Sequence, residues 1–235
     1  MKAGLKIFYD VDTQNDFMDR AGALYVPGAE EIRPNLEKLT DYAMGKNNPI
    51  IGSVDKHYGK PEYKRREKEL AVFGGDFPRH CMEGSLGQKK IPETRKFGEY
   101  RDQEFEMNDY VPHELNNKFD KEFLKMKADE YARNLAAPKG LMFEKQSYDV
   151  FTNLTFEYFL KQADVKEAVV YGVATDYCVK AAVIGMQKRG IQCYVVKDAI
   201  AAVSPDTGEK SLEEMVKSGA KLITTQEVLE NKMEW

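Results

Sequence analysis

Short apolar runs alternate with amphipathic stretches along this chain. The apolar and β-branched runs predict strands at residues 6–11, 49–54, 141–145, 167–173, 192–196 and 221–224. Apolar residues at helical spacing predict helices at residues 30–46, 155–162, 178–189 and 211–218, followed by a short terminal helix. This strand–helix–strand repetition predicts an α/β domain, in which a doubly wound parallel sheet carries helices on both faces.

The stretch from residue 92 to residue 140 departs from this alternation. It is highly charged, with scattered aromatic residues and no run typical of a strand. Phe119, Phe123 and Met126 have the spacing of one helical face. We therefore predict a single domain over residues 1–235 with an insertion at about 92–140. A surface elaboration is the expected role, and a lid or an oligomer contact is the alternative.

Composition narrows the class of protein. Of the 235 residues, 42% are hydrophobic and 31% are charged, which is ordinary for one globular domain. The formal net charge of −4 argues against a nucleic-acid-binding protein, because such proteins usually carry a basic face. No apolar run is long enough to span a membrane. Three cysteines and no secretory signal pattern indicate a reducing compartment, so we expect a cytoplasmic protein.

Reactive side chains follow the predicted strands at their carboxyl ends, which is where doubly wound sheets bind ligands. Asp12 follows the first strand, and Asp55 and His57 follow the second. Lys145 is the last residue of the third strand. Cys178 comes shortly after the strand at residues 167–173. We therefore expect an acid, a lysine, a thiol and a candidate metal-binding pair at one rim of the sheet.

Cys178 begins a predicted helix, and the backbone N–H groups there favour a thiolate and can stabilise an oxyanion. Asp12 can act as the base that a thiol nucleophile needs, and Lys145 can hold Asp12 ionised. Each of these residues also has an alternative without a catalytic role. Cys178 can be a buried apolar residue, Asp12 a turn cap and Lys145 an exposed lysine. Cys193, inside a predicted strand, fits the first of these alternatives.

Histidine is rare, occurring only as His57, His80 and His113. Asp55 and His57 lie on the same side of an extended segment. His80 can complete a set of nitrogen and oxygen ligands suited to zinc, iron or manganese. An isolated Asp-X-His pair is a weak indication of a metal, so the residues alone leave this site open.

Five sequence blocks, in order, resemble the isochorismatase-like cysteine hydrolase superfamily, and specifically its nicotinamidase (pyrazinamidase) branch. The blocks are DVDTQNDF with GALYVPGAEE, then SVDKH, DFPRHCMEGSLG, FEKQSYDVF and GVATDYCVKAA. The resemblance covers nearly the whole chain apart from residues 92–140. It implies the isochorismatase-like hydrolase fold, a small amide such as nicotinamide as the substrate, and assembly as a homo-oligomer.

The resemblance also implies a role for each site residue. It makes Asp12, Lys145 and Cys178 the catalytic set, with the N–H groups of Ala174 and Cys178 forming an oxyanion hole. A cis bond is implied between Val173 and Ala174. The metal-binding and substrate-binding residues are implied in the same way. They are Asp55, His57 and His80 for a divalent metal, with zinc expected ahead of iron or manganese, and Phe17, Phe77 and Tyr177 for the substrate ring.

Two departures from the family pattern bear on the substrate. Phe77 stands where tryptophan is common, and the region 58–63 lacks the further histidine that some members have. The resemblance still implies a metal-assisted cysteine amidohydrolase that converts nicotinamide to nicotinate and ammonia through a thioester. The alternatives are a ureido-acid or carbamoyl amidase, an isochorismatase-type ether hydrolase, and a non-catalytic binding protein on the same fold.

Overall fold

Parallel strands form the centre of the molecule in the computed structural model, which describes residues 4–95, 97–100, 103–106, 108–113, 119–135 and 140–232. Seven of them pair in the order β5-β6-β2-β1-β7-β8-β9, and every pairing is parallel. These strands are β1 Leu5–Val11, β2 Ile50–Asp55, β5 Asn108–Val111, β6 Gly140–Lys145, β7 Val165–Val173, β8 Gln192–Ala201 and β9 Lys221–Ile223. A separate antiparallel hairpin consists of β3 Phe97–Tyr100 and β4 Gln103–Glu106.

Helices cover both faces of this sheet, as predicted. They are α1 Asn15–Met18, α2 Ala29–Gly45, α3 Lys121–Arg133, α4 Leu154–Gln162, α5 Lys180–Gln187, α6 Pro205–Lys217 and α7 Thr225–Leu229. Ile7 and Tyr9 of β1 pack in one apolar core with Phe156 of α4, whereas Phe8 packs in a second core with Leu36 of α2. Successive residues of a strand point to opposite faces, so one strand contributes to both cores.

The stretch at residues 92–140 contains a strand of the main sheet, so the expectation of no strand there is wrong. β5 pairs in parallel with β6, and α3 lies between them in the chain. The strand is short and begins Asn-Asp, which explains why it lacks an apolar signature. The description of these residues as an insertion stays a prediction.

The buried face of α3 also differs from the predicted one. Leu124 and Ala128 are its buried residues, whereas Met126 is 52% exposed. Phe119 precedes the helix and stacks on Phe123 with ring centroids 3.9 Å apart. The aromatic spacing therefore marks a ring pair, and smaller apolar residues form the contact with the core.

Strand and helix limits differ from the predicted ones most clearly near the C-terminus. β8 continues to Ala201, and α6 begins at Pro205, which occupies its first turn as proline often does. A π-helical turn, Thr175–Val179, precedes α5 and contains Cys178. Within the part of the chain that the structure describes, no helix has both the length and the apolar composition needed to cross a membrane.

The register of the parallel strands brings their carboxyl ends to one rim. Asp55 of β2 lies opposite Lys145 of β6. Val11, the last residue of β1, lies opposite Ser53 on one side and Gly172 on the other. Side chains that follow these strands therefore meet at one edge of the sheet.

Candidate active site

Lys145 lies at the centre of a buried group of polar side chains. Its Nζ atom is 2.8 Å from Asp12 Oδ2 and 3.5 Å from Cys178 Sγ, and it also contacts Asp55 Oδ1. Lys145 and Asp12 are fully buried. An ammonium group is stable in such a place only when carboxylates compensate its charge, and here two of them do. The three predicted catalytic side chains thus meet around one nitrogen atom.

Ser53 fixes the carboxylate of Asp12 from the other side. Its hydroxyl donates to Asp12 Oδ1 at 2.7 Å, and its carbonyl accepts from the Asp12 N–H at 3.1 Å. Asp12 has a φ of 47°, a left-handed conformation that aspartate tolerates better than most residues. Ser53 was not among the predicted site residues, because a serine inside an apolar strand carries no distinctive signal.

Burial dominates the protonation of the catalytic pair. It raises the pKa of the Cys178 thiol well above its ordinary value, although Lys145 opposes the shift. Burial likewise raises the pKa of Asp12, again against Lys145. Asp12 and Cys178 also perturb each other's pKa through a side-chain hydrogen bond. Burial thus opposes the predicted tendency toward thiolate, and a thiol with a raised pKa needs a base to deprotonate it.

Lys145 and Asp55 keep their charges despite burial. Burial lowers the pKa of a lysine, but Asp12 and Asp55 outweigh it and hold the pKa of Lys145 well above its ordinary value. Burial raises the pKa of a carboxyl group, but Lys145 and the nearby imidazoles hold the pKa of Asp55 below its usual range. The group therefore contains one ammonium between two acidic side chains.

The turn Thr175–Val179 carries the Cys178 thiol to the cavity. The Val173–Ala174 peptide bond before it is cis, which confirms the expectation drawn from the family resemblance. The Ala174 carbonyl accepts from the N–H groups of Tyr177 and Val179 at 3.1 Å each. Ala174 and Cys178 both line the cavity, and their N–H groups as an oxyanion hole stay a prediction.

Four side chains beside this group are arranged as metal ligands. One ligand atom from each of Asp55, His57, Glu69 and His80 lies within 4.8 Å of the others. His57 Nε2 is 3.2 Å from Glu69 Oε1, and His80 Nε2 is 3.5 Å from Asp55 Oδ2. Both ring nitrogens of buried His57 lack a hydrogen-bond partner among the described residues. Two imidazoles and two carboxylates suit a divalent transition metal, so the residues fit one.

Glu69 is a candidate ligand that the sequence analysis missed. It lies in the loop between β2 and His80, and its other oxygen, Oε2, accepts from the Tyr148 N–H at 3.0 Å. Nothing in the spacing Glu67-Lys68-Glu69 separates a ligand from an ordinary surface carboxylate.

Glu67 is a further acidic residue beside His57. This fully buried carboxylate accepts from the N–H groups of Tyr58 and Gly59 at 2.7 and 2.8 Å. Its Oε1 atom is 3.9 Å from His57 Nδ1. Glu67 therefore places a carboxylate near His57 Nδ1, while Nε2 of the same ring lies 3.2 Å from Glu69 Oε1.

A small cavity of about 40 Å³ opens over these groups. Its walls include Asp55, His80, Ala174 and Cys178 and all three predicted substrate-binding residues, Phe17, Phe77 and Tyr177. The Phe77 and Tyr177 rings meet edge to face at 5.3 Å between centroids, and the Phe17 ring lies 5.4 Å from that of His80. Wall residues that the sequence analysis missed are Leu24, Val26, Tyr148 and Val203.

Comparison with known proteins identifies the family. A model of the isochorismatase domain matches residues 10–227. The chain belongs to the isochorismatase family. The chain, a hydrolase of this family, is 25% identical over 234 residues to the nicotinamidase of Escherichia coli (strain K12). The alignment covers 91% of this chain and 92% of that protein.

Solved structures of the family share its fold. The pyrazinamidase of Pyrococcus horikoshii in complex with zinc has a TM-score of 0.67 and 23% identity, over 93% of this chain and 98% of that chain. The N-carbamoylsarcosine amidase of Thermoplasma acidophilum has a TM-score of 0.64 and 19% identity, over 94% and 96% of the two chains. Similarity to both proteins at this level of identity establishes the fold of this isochorismatase-family member, and its substrate is a separate question.

Proposed function

We propose that this protein is a metal-assisted cysteine amidohydrolase that converts nicotinamide and water to nicotinate and ammonia. The observation that carries the proposal is the buried contact of Lys145 with both Asp12 and Cys178, beneath a cavity with candidate metal ligands in its wall. The similarity to a nicotinamidase supports an amide as the substrate.

In the first half of the reaction, Asp12 takes the proton of the Cys178 thiol as sulfur attacks the carboxamide carbon. The N–H groups of Ala174 and Cys178 stabilise the oxyanion that forms. Asp12 then gives its proton to the departing nitrogen, the C–N bond breaks, and ammonia leaves a thioester on Cys178. Lys145 stays charged and stabilises the ionised states of Asp12 and Cys178.

In the second half, Asp12 takes a proton from a water molecule as the water oxygen attacks the thioester carbon. The C–S bond breaks, sulfur recovers the proton, and nicotinate leaves. Asp55, His57, Glu69 and His80 would hold a divalent metal, which supplies Lewis acidity toward a substrate nitrogen or a water molecule. Phe17, Phe77 and Tyr177 would enclose the ring of the substrate.

The proposal is tested by ammonia release from nicotinamide, with the metal content of the purified protein measured in parallel. We expect release by the wild type and at least about a 10³-fold loss of kcat in Cys178→Ala, because the nucleophile is absent. Cys193→Ala is the matched control, since Cys193 is buried in β8 away from the cavity, and it should retain activity.

A metal-loaded wild-type protein that releases no ammonia from nicotinamide would overturn the substrate assignment. Ureido and carbamoyl amides are then the compounds to test, since an N-carbamoylsarcosine amidase shares this fold. A His57→Ala variant separates the two classes of amidase. Loss of both bound metal and activity in this variant supports the metal-assisted reaction, and full activity without metal contradicts it.

A further inference from the structure

Asp176 is a buried acidic residue that the proposed reaction does not use. It is 7% exposed and lies in the turn Thr175–Val179, two positions before Cys178. It is not one of the described residues that line the cavity holding the thiol. A carboxylate in such a place is costly unless its oxygen atoms are satisfied, so its partners indicate what it does.

The partners of Asp176 all lie at the start of α6. Oδ1 accepts from the Val203 N–H at 3.0 Å. Oδ2 accepts from the Ser204 N–H at 3.2 Å and from the Thr207 hydroxyl. Ser204 is the residue that precedes the helix, yet its own side chain makes no capping hydrogen bond. Asp176, from a distant segment of the chain, therefore binds the residues that lead into α6 and places a carboxylate near the start of this helix.

These hydrogen bonds tie the nucleophile turn to the segment that leads into α6. Asp176 supplies this side-chain tether from within the turn that contains Cys178. One of its partners, Val203, also lines the cavity beside Cys178. The same carboxylate thus joins the segment that carries the thiol to a wall of the substrate cavity.

We propose that Asp176 is a positioning residue that holds Cys178 and the Ala174 N–H in the geometry needed for attack. The inference rests on the proposed role of Cys178 as the nucleophile. Catalysis depends steeply on this geometry, because a displacement of about 1 Å can reduce a rate about 100-fold. The effect is expected on kcat, since Asp176 does not touch the cavity in which the ground-state substrate binds.

The chain offers a matched control in Asp198 of β8. Its Oδ1 atom accepts from the Thr225 N–H at 2.8 Å and from the Thr225 hydroxyl at 3.1 Å, at the start of α7. Asp198, although exposed, is thus also a carboxylate that binds the start of a helix from a distant segment, and it is not one of the described residues lining the cavity. Removal of either carboxylate should destabilise the fold, but only removal of Asp176 should release the turn.

The experiment compares Asp176→Ala, Asp176→Asn and Asp198→Ala with the wild type by steady-state kinetics on nicotinamide. We expect kcat of Asp176→Ala to fall about 10- to 100-fold with KM within about threefold. Asp176→Asn should lose less, because one oxygen acceptor remains. Asp198→Ala should keep the wild-type kcat while its Tm falls.

Hydrogen exchange measured by mass spectrometry gives a readout that needs no substrate. Peptides covering residues 173–180 and 202–208 should exchange faster in Asp176→Ala, whereas in Asp198→Ala the change should be confined to residues 224–229. If Asp176→Ala does not fold, Thr207→Val removes one of the three hydrogen bonds, and a smaller loss of kcat with the same exchange pattern is expected.

A wild-type kcat in folded Asp176→Ala would overturn the inference, as would an equal loss of kcat in Asp198→Ala. If the wild type itself hydrolyses no amide, the proposed function fails, and the exchange measurement still decides the positioning role. Unchanged exchange at residues 173–180 in Asp176→Ala would then overturn the inference independently.

Discussion

The two carboxylate oxygens of Asp12 have different partners. Ser53 donates to Oδ1, and Lys145 lies beside Oδ2. Both partners favour the ionised form, whereas burial favours the neutral acid and prevails, so the pKa of Asp12 is raised. A carboxylate with a raised pKa is a stronger base toward a thiol, and the two partners set how far the pKa rises.

Replacing Ser53 by alanine should therefore alter the pH dependence of catalysis. The variant loses a hydrogen bond to ionised Asp12, so the pKa of Asp12 should rise. Because Asp12 must be ionised to act as a base, the acidic limb of kcat/KM should then move to higher pH. We also expect kcat to fall about tenfold at neutral pH. This is the lower end of the roughly 10- to 100-fold loss that follows removal of a residue supporting an active-site group. Ser211→Ala, which alters a buried serine of α6, is the control. An acidic limb that coincides with that of the wild type would contradict the prediction.

Metal binding should release a proton from His80. Burial opposes protonation of this imidazole, but Asp55 and Glu69 raise its pKa to about 10 in the absence of a cation. Since a ligating imidazole must be neutral, metal affinity should fall about tenfold for each pH unit below that value. Calorimetry of zinc binding in buffers with different ionisation enthalpies measures the proton count. A count close to zero at pH 7 would be inconsistent with a protonated His80.

At the scale of elements, the ends of β1 and β7 approach more closely than side chains allow. Gly172 of β7 has a φ of 115°, and a Cβ atom there would lie 2.1 Å from the Val11 carbonyl oxygen. The register between β7 and β8 also shifts between Val170 and Gly172. Glycine at this position lets the strand turn into the segment that carries Cys178.

Gly172→Ala should therefore destabilise the protein by about 3 kcal/mol or more, because both the conformation and the contact are unfavourable. Gly190→Ala isolates the first effect, since Gly190 has a φ of 74° with nothing within 4 Å of a Cβ atom. That control should cost about 1 kcal/mol. Urea unfolding of the two variants measures the difference. Similar midpoints would mean that the strand ends can separate at little cost.

Whether an element could be predicted from the sequence depended on its length and its position in the sheet. Apolar central strands such as β7 were predictable, and so were reactive residues that follow strands, such as Lys145. β5 was not, because its polar start hides an edge strand. Glu69 and Asp176 gain their roles from contacts between loops distant in sequence, and no local pattern records such contacts.

At the scale of the whole molecule, residues 56–95 form a long segment that crosses the rim of the sheet. The segment supplies His57, Glu69 and His80 to the candidate metal site. Its far end is tied to β1 by a second buried lysine, Lys90, whose Nζ atom lies 2.7 Å from Asp10 Oδ2. The candidate metal ligands and the Lys90–Asp10 ion pair therefore both place parts of this segment at the rim.

Breaking this ion pair should destabilise the fold strongly. Lys90→Met leaves Asp10 buried and uncompensated, which should cost about 3–5 kcal/mol, whereas Asp10→Leu combined with Lys90→Met should cost much less. A double-mutant cycle from urea unfolding measures the coupling. Additive losses would show that the two charges are compensated by other groups.

The contact of Lys145 with both Asp12 and Asp55 limits the mutational routes open to this enzyme. A descendant that replaced Asp55 would lose a candidate metal ligand and one of the two counter-charges of Lys145 in the same step. A descendant that replaced Lys145 would instead leave two buried carboxylates without the cation between them. Substitutions at these three positions are therefore epistatic, since the cost of changing one residue depends on which residues occupy the other two positions.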